Sequence, residues 1–480
     1  MTTKAPSGGG VRATPWGLAL AAIVGAEFLL QLDGTIVNVA LPSLRADLGV
    51  GVAAASWVLN AFFVAFGGLL LLAGRLGDVL GHRRVFLAGI GLVTVASLVA
   101  GLAPTFEVLL VGRVLQGAGA AVAGPTGLAL LAILFRGERQ ARAFGLYSTV
   151  TGLGAAAGMI LGGLLTAAGD WRWSLLVNVP IGVVIIALAL RAVGARDEGT
   201  RTRSLGAPSA VLVTLALTAG VYGLVRAAED GWLRTWTLVP LAVSVVLIAA
   251  LVLVDGKAAE PLLPRRVFAS RARAGGFVNL LLLASVLTGF LFYVTQYLAG
   301  PLGLDALRTG LAILPFGLAL LVTTQFLTRF VAGLRLEVRA LVGSVLVIAG
   351  FAWLARLDGG STYTTGVLPA IVVLGVGVGL AIIPFNMIVL STSDPADTGV
   401  TAGILQSALT IGGSIGLAVL LLPFSSGTGR IGDTISSVFA WSTAIAALGV
   451  VVSLVFWFGP GARKAGTHEV GAREATAEQG

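Results

Sequence analysis

The sequence predicts an all-α membrane protein that crosses the bilayer many times, because long apolar runs dominate it. Hydrophobic residues make up 57% and charged residues 11% of its 480 residues, whereas soluble domains contain about 25% charged residues. The runs are about twenty residues long, enough for a helix that rises about 1.5 Å per residue to cross hydrocarbon about 30 Å thick. We count fourteen of them, at 16–40, 55–73, 85–103, 107–133, 142–168, 173–191, 205–225, 236–254, 275–299, 309–328, 337–355, 366–390, 400–422 and 436–458.

Polar segments divide these spans into two bundles of six helices and an inserted pair. The first apolar run is too long for the core of a signal peptide and lacks a cleavage site, so we expect it to remain as the first helix. The expected parts of the chain are a cytoplasmic N-terminal segment (1–14), a six-helix bundle (15–193), a linker with an inserted two-helix hairpin (194–260), a second six-helix bundle (261–460) and a disordered cytoplasmic tail (461–480).

The basic residues predict how the chain is oriented in the membrane. The formal net charge is +9, and most of the 31 Lys and Arg residues fall on one side if the N-terminus is cytoplasmic. This asymmetry predicts a multi-pass protein of the cell inner membrane with both termini in the cytoplasm. The basic residues lie in short loops and not on one patch, which favours membrane lipid over nucleic acid as a partner. Abundant Ala, Gly, Val and Arg indicate a bacterial source.

The residues that usually carry enzymatic or metal chemistry are scarce. The chain has no cysteine, which excludes disulfides, thiolate metal sites and cysteine nucleophiles. The two histidines, His82 and His468, fall in a loop and in the tail, and no nucleophile–base arrangement recurs at one depth. We therefore expect a protein that is not an enzyme, needs no metal or cofactor, and works as a monomer on a small molecule and protons.

Three charged side chains stand out well inside predicted helices, where each costs on the order of 3 kcal/mol or more unless it is paired or faces a cavity. They are Glu27 and Asp33 in the first helix and Arg113 in the fourth. If the first helix ends near Ala40, Asp33 and Arg113 lie at a similar depth and can form an ion pair. Such a pair could couple protons to transport or could only fix helix packing, and the sequence leaves both interpretations open.

Glu27 lies near mid-membrane without an equally deep basic partner. Desolvation disfavours its charged form, so its protonation can be coupled to substrate binding. Gln31, Gly34 and Asn38 continue the same helical face and predict a polar strip that lines a cavity, with a polar helix contact as the alternative. Gln116 is a further cavity candidate. In the second bundle the candidates, each of which could equally form an interhelical hydrogen bond, are Tyr293, Gln296, Gln325, Asn386 and Gln406.

The connection between the second and third helices combines glycines with charged residues. Asp78 near a helix end, a tight turn at Gly81 and two arginines just beyond can form a charge cluster that holds helices together on the cytoplasmic side. A simple positive-inside anchor would require the arginines but not this spacing. The predicted cytoplasmic gate consists of Gly74, Asp78, Gly81, Arg83 and Arg84.

The predicted fifth helix carries a ridge that is almost free of side chains. Gly154, Gly158, Gly162 and Gly163 form it, and such small residues let another helix approach closely. Packing within one bundle is the simpler interpretation of this ridge. A moving contact between the two bundles is the narrower one.

At these positions the chain resembles a known family. The resemblance is to the fourteen-helix drug:proton antiporters of the major facilitator superfamily, the multidrug efflux type, and it covers the whole chain. The segments similar to that family's motifs are Leu32–Pro42, Gly74–Arg84, Arg113–Gly119, Gly154–Gly163, Trp171–Trp173 and Asn178–Gly182. Met159 departs from the pattern, because the family usually has proline there.

The resemblance implies a function and roles for these residues. It implies two bundles that rock about a mid-membrane site and proton-coupled export of amphipathic drugs or antibiotics, cationic or neutral. Glu27 and Asp33 would carry protons, Arg113 would tune them, and the Gly74–Arg84 loop would gate the cytoplasmic side. The predicted helices nine to fourteen contain no internal acid, which leaves proton coupling to the first bundle. The alternatives are a dedicated exporter of one endogenous metabolite or lipid, or a uniporter.

Overall fold

The computed structural model describes residues 16–135, 138–192, 206–258, 261, 263, 265–327, 330–331, 333–358, 360–392, 398–425 and 431–458, and every structural statement below concerns these residues. They form long helices joined by short connections. The helices are α1 (Trp16–Leu48), α2 (Val52–Leu80), α3 (His82–Gly101), α4 (Phe106–Leu134), α5 (Glu138–Ala168), α6 (Asn178–Ala192), α7 (Ala207–Asp230), α8 (Thr235–Lys257), α9 (Arg271–Ala299), α10 (Ala306–Val322), α11 (Leu336–Leu354), α12 (Leu368–Ser391), α13 (Thr398–Ser425) and α14 (Ile431–Ser453).

The predicted all-α polytopic membrane fold is confirmed. In the described part of the chain, 13 helices are long and apolar enough to cross a membrane. Helix α5, of 31 residues, occupies the fifth predicted span, and its described apolar portion is Ala157–Ala168. Short one-turn helices, Trp173–Leu176 and Arg265–Phe268, precede α6 and α9.

Helix α1 is longer than the sequence predicts. The predicted span ends at Ala40, but the helix continues through Pro42 to Leu48. Its last turns carry Arg45 and Asp47, whose charges indicate a loop when the sequence is considered alone. Both side chains find partners, Gln296 for Arg45 and the Trp171–Arg172 pair for Asp47. These contacts hold a polar helical end in place beyond the apolar span.

The helices pack as two bundles with the same internal arrangement. In the first bundle, α1 packs against α5 and α6, α2 packs against α4, and α3 packs against α4 and α6. In the second bundle, α9 packs against α13 and α14, α10 packs against α12, and α11 packs against α12 and α14. Helices α1 to α6 therefore correspond, in order, to α9 to α14.

The hairpin of α7 and α8 lies along the seam between the bundles. Helix α7 packs against α2 of the first bundle, α13 of the second and its own partner α8. A Cβ atom at Gly68 of α2 would lie 2.9 Å from Cα of Thr214, so α2 and α7 approach closely there. Val64, Val221 and Ala418 belong to an apolar cluster that joins α2, α7 and α13. The hairpin thus contacts both bundles without belonging to either.

The two bundles meet through α5 with α10 and through α2 with α13. We name the end of the molecule where α2 meets α3 the Arg83 end, and the opposite end, where α5 is followed by α6, the Trp171 end. A Cβ atom on Gly163 of α5 would lie 2.6 Å from the carbonyl oxygen of Ala306, at the start of α10. Arg45 of α1 donates a hydrogen bond to Gln296 of α9 at the same end. The Trp171 end is therefore closed.

Candidate functional site

Asp33 and Arg113 form an ion pair in the interior of the first bundle. Arg113 Nη1 lies 2.8 Å from Asp33 Oδ2, and the two residues are 0% and 1% exposed. The expectation that they lie at a similar depth and can pair is met, although its premise that α1 ends near Ala40 was wrong. Asp33 lies midway along the extended helix α1 and not near its end.

A network of neutral hydrogen-bonding groups surrounds this pair. Asp33 Oδ1 accepts from Asn178 Nδ2 at 2.7 Å and from Gln116 Nε2 at 3.2 Å. Gln116 also donates to Ser97 Oγ at 2.8 Å, and Arg113 Nε donates to the carbonyl oxygen of Val58 at 2.8 Å. Side chains or backbone from α1, α2, α3, α4 and α6 therefore meet at one carboxylate–guanidinium pair. Such complete pairing is what a charge needs to persist in a low-dielectric interior.

Small residues on α4 allow Arg113 to reach this position. A Cβ atom at Gly112 would lie 2.7 Å from Cβ of Ala100 on α3, and a Cβ at Gly117 would overlap the carbonyl oxygen of Phe62 on α2. Both neighbouring helices can therefore pack directly against the backbone of α4. The Phe62 ring also lies 4.6 Å from the Arg113 guanidinium carbon, in cation–π geometry.

Glu27 forms a second polar group on α1. Its Oε1 accepts from Gln31 Nε2 at 2.8 Å and its Oε2 accepts from Tyr147 Oη of α5 at 2.6 Å. Glu27 is 7% exposed and Gln31 is half-buried. A Cβ atom at Gly34, on the same helical face, would meet no heavy atom within 4 Å. At Gly34, therefore, this face of α1 borders open space.

In the part of the second bundle that the structure describes, the Asp33–Arg113 network has no counterpart. Matching close glycine contacts relate the bundles: a Cβ at Gly119 would lie 2.8 Å from Val93 N, and one at Gly377 would lie 2.8 Å from Val347 N. Gly158 and Gly412 likewise approach the carbonyl oxygens of Leu32 and Leu281. By this correspondence, apolar residues occupy the positions of the network in the second bundle. They are Leu282 for Asp33, Ile371 for Arg113, Leu374 for Gln116 and Phe351 for Ser97.

The predicted cavity residues of the first bundle divide between two environments. Gln31 adjoins the open face, while Asn38 is 5% exposed and donates to the carbonyl oxygen of Gly34 at 3.1 Å. Gln116 is 0% exposed. It therefore belongs to the Asp33 network and does not line a cavity in this conformation.

The predicted cavity residues of the second bundle are also distributed. Tyr293 is fully buried against Phe424, at 5.3 Å between ring centroids, and Gln296 is the partner of Arg45 at the closed end. These two side chains do not face open space in this conformation. Towards the Arg83 end, two side chains are exposed and one is half-buried, namely Gln325, Gln406 and Asn386.

The predicted gate is described in part. Gly81 has φ +91°, which only glycine adopts readily, and it forms the turn between α2 and α3. Arg83 Nη2 lies 3.4 Å from the carbonyl oxygen of Leu190 on α6, and Arg84 is exposed. The structure describes the helix at Gly74 and Asp78 but not the Asp78 side chain or the surroundings of Gly74, so the predicted cluster of Asp78 with the arginines stays a prediction.

The glycine ridge of α5 serves two contacts. Gly154, Gly158 and Gly162 face α1: Cβ atoms there would lie 3.0, 2.7 and 2.6 Å from the carbonyl oxygens of Phe28, Leu32 and Ile36. Gly163 faces α10 of the other bundle. A Cβ on Gly310 of α10 would in turn lie 2.5 Å from the carbonyl oxygen of Met159. Packing within a bundle and contact between bundles therefore both occur, on different faces of one helix.

Gly158→Ala is expected to destabilise the protein, whereas Gly34→Ala is not. The new methyl group at Gly158 would overlap Thr35 Oγ1 and the Leu32 carbonyl oxygen, whereas at Gly34 it would enter open space. Overpacking costs about 1–3 kcal/mol, and both substitutions gain the same helix propensity. The measurement is thermal unfolding of the purified proteins in detergent. Equal midpoints for the two variants would contradict the described α1–α5 contact.

Several residues of the site carry no recognisable sequence signal. Tyr147 is one tyrosine in a long helix, and Ser97 is one serine in α3. Asn178 lies in the segment Asn178–Gly182 that resembles the family, which gives its position but not its contact with Asp33. Arg45 could have been noticed as a basic residue on the side with few of them.

Comparisons with known proteins agree with this architecture. The puromycin resistance protein of Streptomyces alboniger is 39% identical over 84% of this chain and 80% of its own length. The cephamycin export protein of Amycolatopsis lactamdurans is 37% identical over 90% of this chain and 91% of its own. The tetracenomycin C resistance and export protein of Streptomyces glaucescens is 33% identical over 88% and 78%.

A solved structure and a family profile lead to the same assignment. A crystal structure of the nucleoside transporter NupG superposes with a TM-score of 0.64 over 92% of this chain and 100% of that one, at 12% identity, which shows a shared fold. The sequence profile of the Major Facilitator Superfamily matches residues 23–417. The chain, with its two corresponding six-helix bundles, therefore belongs to the Major Facilitator Superfamily.

Proposed function

We propose that this protein exports amphipathic small molecules, cationic or neutral, in exchange for protons by alternating access. The observation that carries the proposal is the buried Asp33–Arg113 pair together with the buried Glu27 on the same helix, in the first bundle. Intramembrane charges of this kind are expensive and typical of proton relays. Relatives named for antibiotic resistance or export support cargo of drug size.

The orientation we propose places the Arg83 end in the cytoplasm, together with both termini. The distribution of Lys and Arg supports it, and in the plasma membrane of a bacterium it makes the Trp171 end extracellular. The closed contacts of Arg45 with Gln296 and of Gly163 with Ala306 then seal the outside. The conformation described is accordingly closed towards the outside, and the proposed working unit is a monomer surrounded by lipid.

In the proposed cycle, cargo and protons bind in turn to acidic residues of α1. Deprotonated Glu27, beside the open face at Gly34, attracts a cationic or hydrogen-bond-donating cargo from the cytoplasm. After the bundles rock, cargo leaves and protons from outside bind Glu27 and Asp33. Protonation of Asp33 weakens its hold on Arg113, whose remaining partners are Gln116 and the Val58 carbonyl. Rocking back releases the protons inside.

The gate we propose for the outward-facing state is the loop with Gly74, Asp78, Gly81, Arg83 and Arg84. Its charge pattern supports closure on the cytoplasmic side, because carboxylate–guanidinium contacts are among the stronger hydrogen bonds. The positive φ of Gly81 supports a turn whose shape is fixed while the helices on either side move. Thiol crosslinking between this loop and α6, in the presence and absence of a proton gradient, would test it.

The experiment for the proposal is proton movement in acid-loaded everted vesicles, followed with a pH-sensitive dye. Cationic, neutral and anionic amphiphiles are added in turn. Proton release on addition of several cations or neutral compounds is the expected result. No release with any compound, with the protein present in the membrane, contradicts proton exchange and favours a uniporter.

A narrower cargo is the second candidate. The three relatives described above are each named for resistance to or export of one antibiotic, namely puromycin, cephamycin and tetracenomycin C. By analogy this chain would export one endogenous metabolite. Proton release with one compound class only, across the same panel, would favour this candidate over polyspecific efflux.

Arg45→Leu is expected to open the Trp171 end more often. It removes a hydrogen bond between the bundles, and one to a charged group contributes about 1.5–3 kcal/mol, so the open population should rise on the order of tenfold. The chain has no cysteine, so the variant Leu307→Cys provides a single thiol beside Gly163. Its labelling rate from outside should rise by a similar factor.

The matched control for this prediction is Arg226→Leu in the same Leu307→Cys background. Arg226 is also a basic residue near a helix end, but its partners Glu229 and Asp230 are exposed and lie on its own helix. Its replacement should leave the labelling rate unchanged. Equal labelling of the two variants would show that Arg45 does not hold the bundles together.

A further inference from the structure

Tyr147 ties the Glu27 carboxylate to a different helix. Glu27 Oε1 accepts from Gln31 at 2.8 Å, and Glu27 Oε2 accepts from Tyr147 at 2.6 Å. Gln31 lies one turn further along α1, so its bond moves with the acid. Tyr147 belongs to α5, so its bond depends on how α1 and α5 are placed relative to each other.

Helix α5 is also the helix through which the first bundle contacts α10. Towards the Trp171 end its Gly163 approaches the Ala306 carbonyl oxygen, and the Met159 carbonyl oxygen approaches Gly310. Tyr147 lies in the half of α5 nearer the Arg83 end. One rigid helix therefore joins the hydrogen bond on Glu27 to the contact between the bundles.

The Tyr147–Glu27 hydrogen bond depends on the proton state of the acid. A phenol donates a stronger, shorter hydrogen bond to a carboxylate than to a neutral carboxyl group. When Glu27 binds a proton, Oε2 becomes a weaker acceptor or itself a donor, and the Tyr147 hydroxyl must weaken its bond or rotate. Proton binding thus changes the force between α1 and α5.

We infer that Tyr147 is a positioning residue through which the proton state of Glu27 acts on α5 and so on the contact between the bundles. This rests on the proposed function, because it requires that protons act at Glu27. Tyr147 itself carries no proton through the cycle in this scheme. It sets the pH at which the conformation changes.

Other charged groups could also influence Glu27. On α1 the nearest is Asp33, whose carboxylate is held by Arg113 of α4. The remaining charged residues on helices packed against α1 lie towards helix ends in the sequence, namely Arg75 and Asp78 of α2, Glu107 of α4, Glu138, Arg139 and Arg142 of α5, Arg191 of α6, Arg271 and Arg273 of α9 and Arg308 of α10. All of these groups are unchanged in Tyr147→Phe, so its effect isolates the phenol hydroxyl.

The experiment measures labelling of the single thiol in Leu307→Cys as a function of pH. Tyr147→Phe, compared with the unsubstituted residue, should shift the pH midpoint of labelling, because the Glu27 carboxylate loses the hydrogen-bond donor on Oε2. The control Tyr222→Phe removes a hydroxyl that accepts from Arg226 Nε at 3.1 Å in the hairpin. It should leave the midpoint in place.

The same labelling measurement in a Glu27→Gln background separates a positioning role of Tyr147 from a structural one. If Tyr147 acts through Glu27, Tyr147→Phe should have no further effect in that background, since coupled residues are non-additive. An equal shift in both backgrounds, or no shift in either, overturns the inference. If Tyr147→Phe leaves both cargo-induced proton release and the pH midpoint of labelling unchanged, the inference is overturned but the proposed function is not. Absence of any proton exchange in the unsubstituted protein overturns both.

Discussion

Asp33→Asn is expected to abolish proton-coupled transport. The substitution keeps the size of the side chain but removes the charge that lies 2.8 Å from Arg113 Nη1. Arg113 is 0% exposed, so it would become an uncompensated buried cation, a change that costs about 3–5 kcal/mol. The measurement is cargo-induced proton release from everted vesicles, with the amount of protein in the membrane quantified in parallel. We expect no release above that of empty vesicles.

Loss of activity in Asp33→Asn alone would not distinguish proton coupling from packing. The double variant Asp33→Asn with Arg113→Gln removes both charges and retains polar side chains facing Gln116 and Asn178. Removal of a complete buried ion pair is often neutral for stability. We therefore expect thermal stability close to that of the unsubstituted protein, still without proton release. Recovery of both stability and proton release would assign the pair to packing alone.

The Asp33–Arg113 pair could be predicted from the sequence because charged residues within apolar runs are rare and costly. The rule selects the residues, but it does not measure depth. The expectation that α1 ends near Ala40 was wrong because polar residues such as Arg45 and Asp47 can extend a helix beyond the hydrocarbon when other segments supply partners. The pair forms all the same, since α4 packs directly against its neighbours.

The rest of the Asp33 network could not be predicted from the sequence, for a geometric reason. An isolated Ser97, Asn178 or Tyr147 is compatible with any membrane helix, and its partner depends on the rotation of two helices about their axes. The same uncertainty about helix rotation affects Gln116. Its polarity predicted a cavity lining, but the rotation of α4 directs its side chain towards Asp33 Oδ1. Contacts between the bundles, such as Arg45 with Gln296, also depend on the conformation, which no sequence pattern encodes.

The two bundles differ in their buried charges, and the proposal of proton coupling depends on this difference. The corresponding helices share their glycine contacts, but Leu282, Ile371, Leu374 and Phe351 occupy the positions of the charged network. Apolar packing in the second bundle has no titratable state, so it cannot respond to a proton gradient. We therefore propose that a response to protons begins at Glu27 and Asp33 in the first bundle and reaches the second through the contacts between them, namely α5–α10, α2–α13 and Arg45–Gln296.

Glu27→Gln is expected to reduce transport of cations by a factor of about ten or more while affecting neutral cargo less. A hydrogen bond to a charged group contributes about 1.5–3 kcal/mol, which corresponds to roughly 10–150-fold in affinity. The amide still offers a hydrogen-bonding group to Gln31 and Tyr147, so the fold should be retained. The Asp33–Arg113 pair is unchanged and should continue to exchange protons with neutral cargo.

The measurement is a comparison of KM and maximal rate for two analogues of one amphiphile, one permanently cationic and one neutral. Glu27→Asp provides the matched control, because it keeps the charge but shortens the reach to Tyr147 and so should retain a preference for the cation. An equal loss for both analogues in Glu27→Gln would assign Glu27 to proton movement for all cargo and contradict a direct role in attracting cations. Full transport of both analogues would remove Glu27 from the mechanism and leave Asp33 as the acid on α1 that responds to the proton gradient.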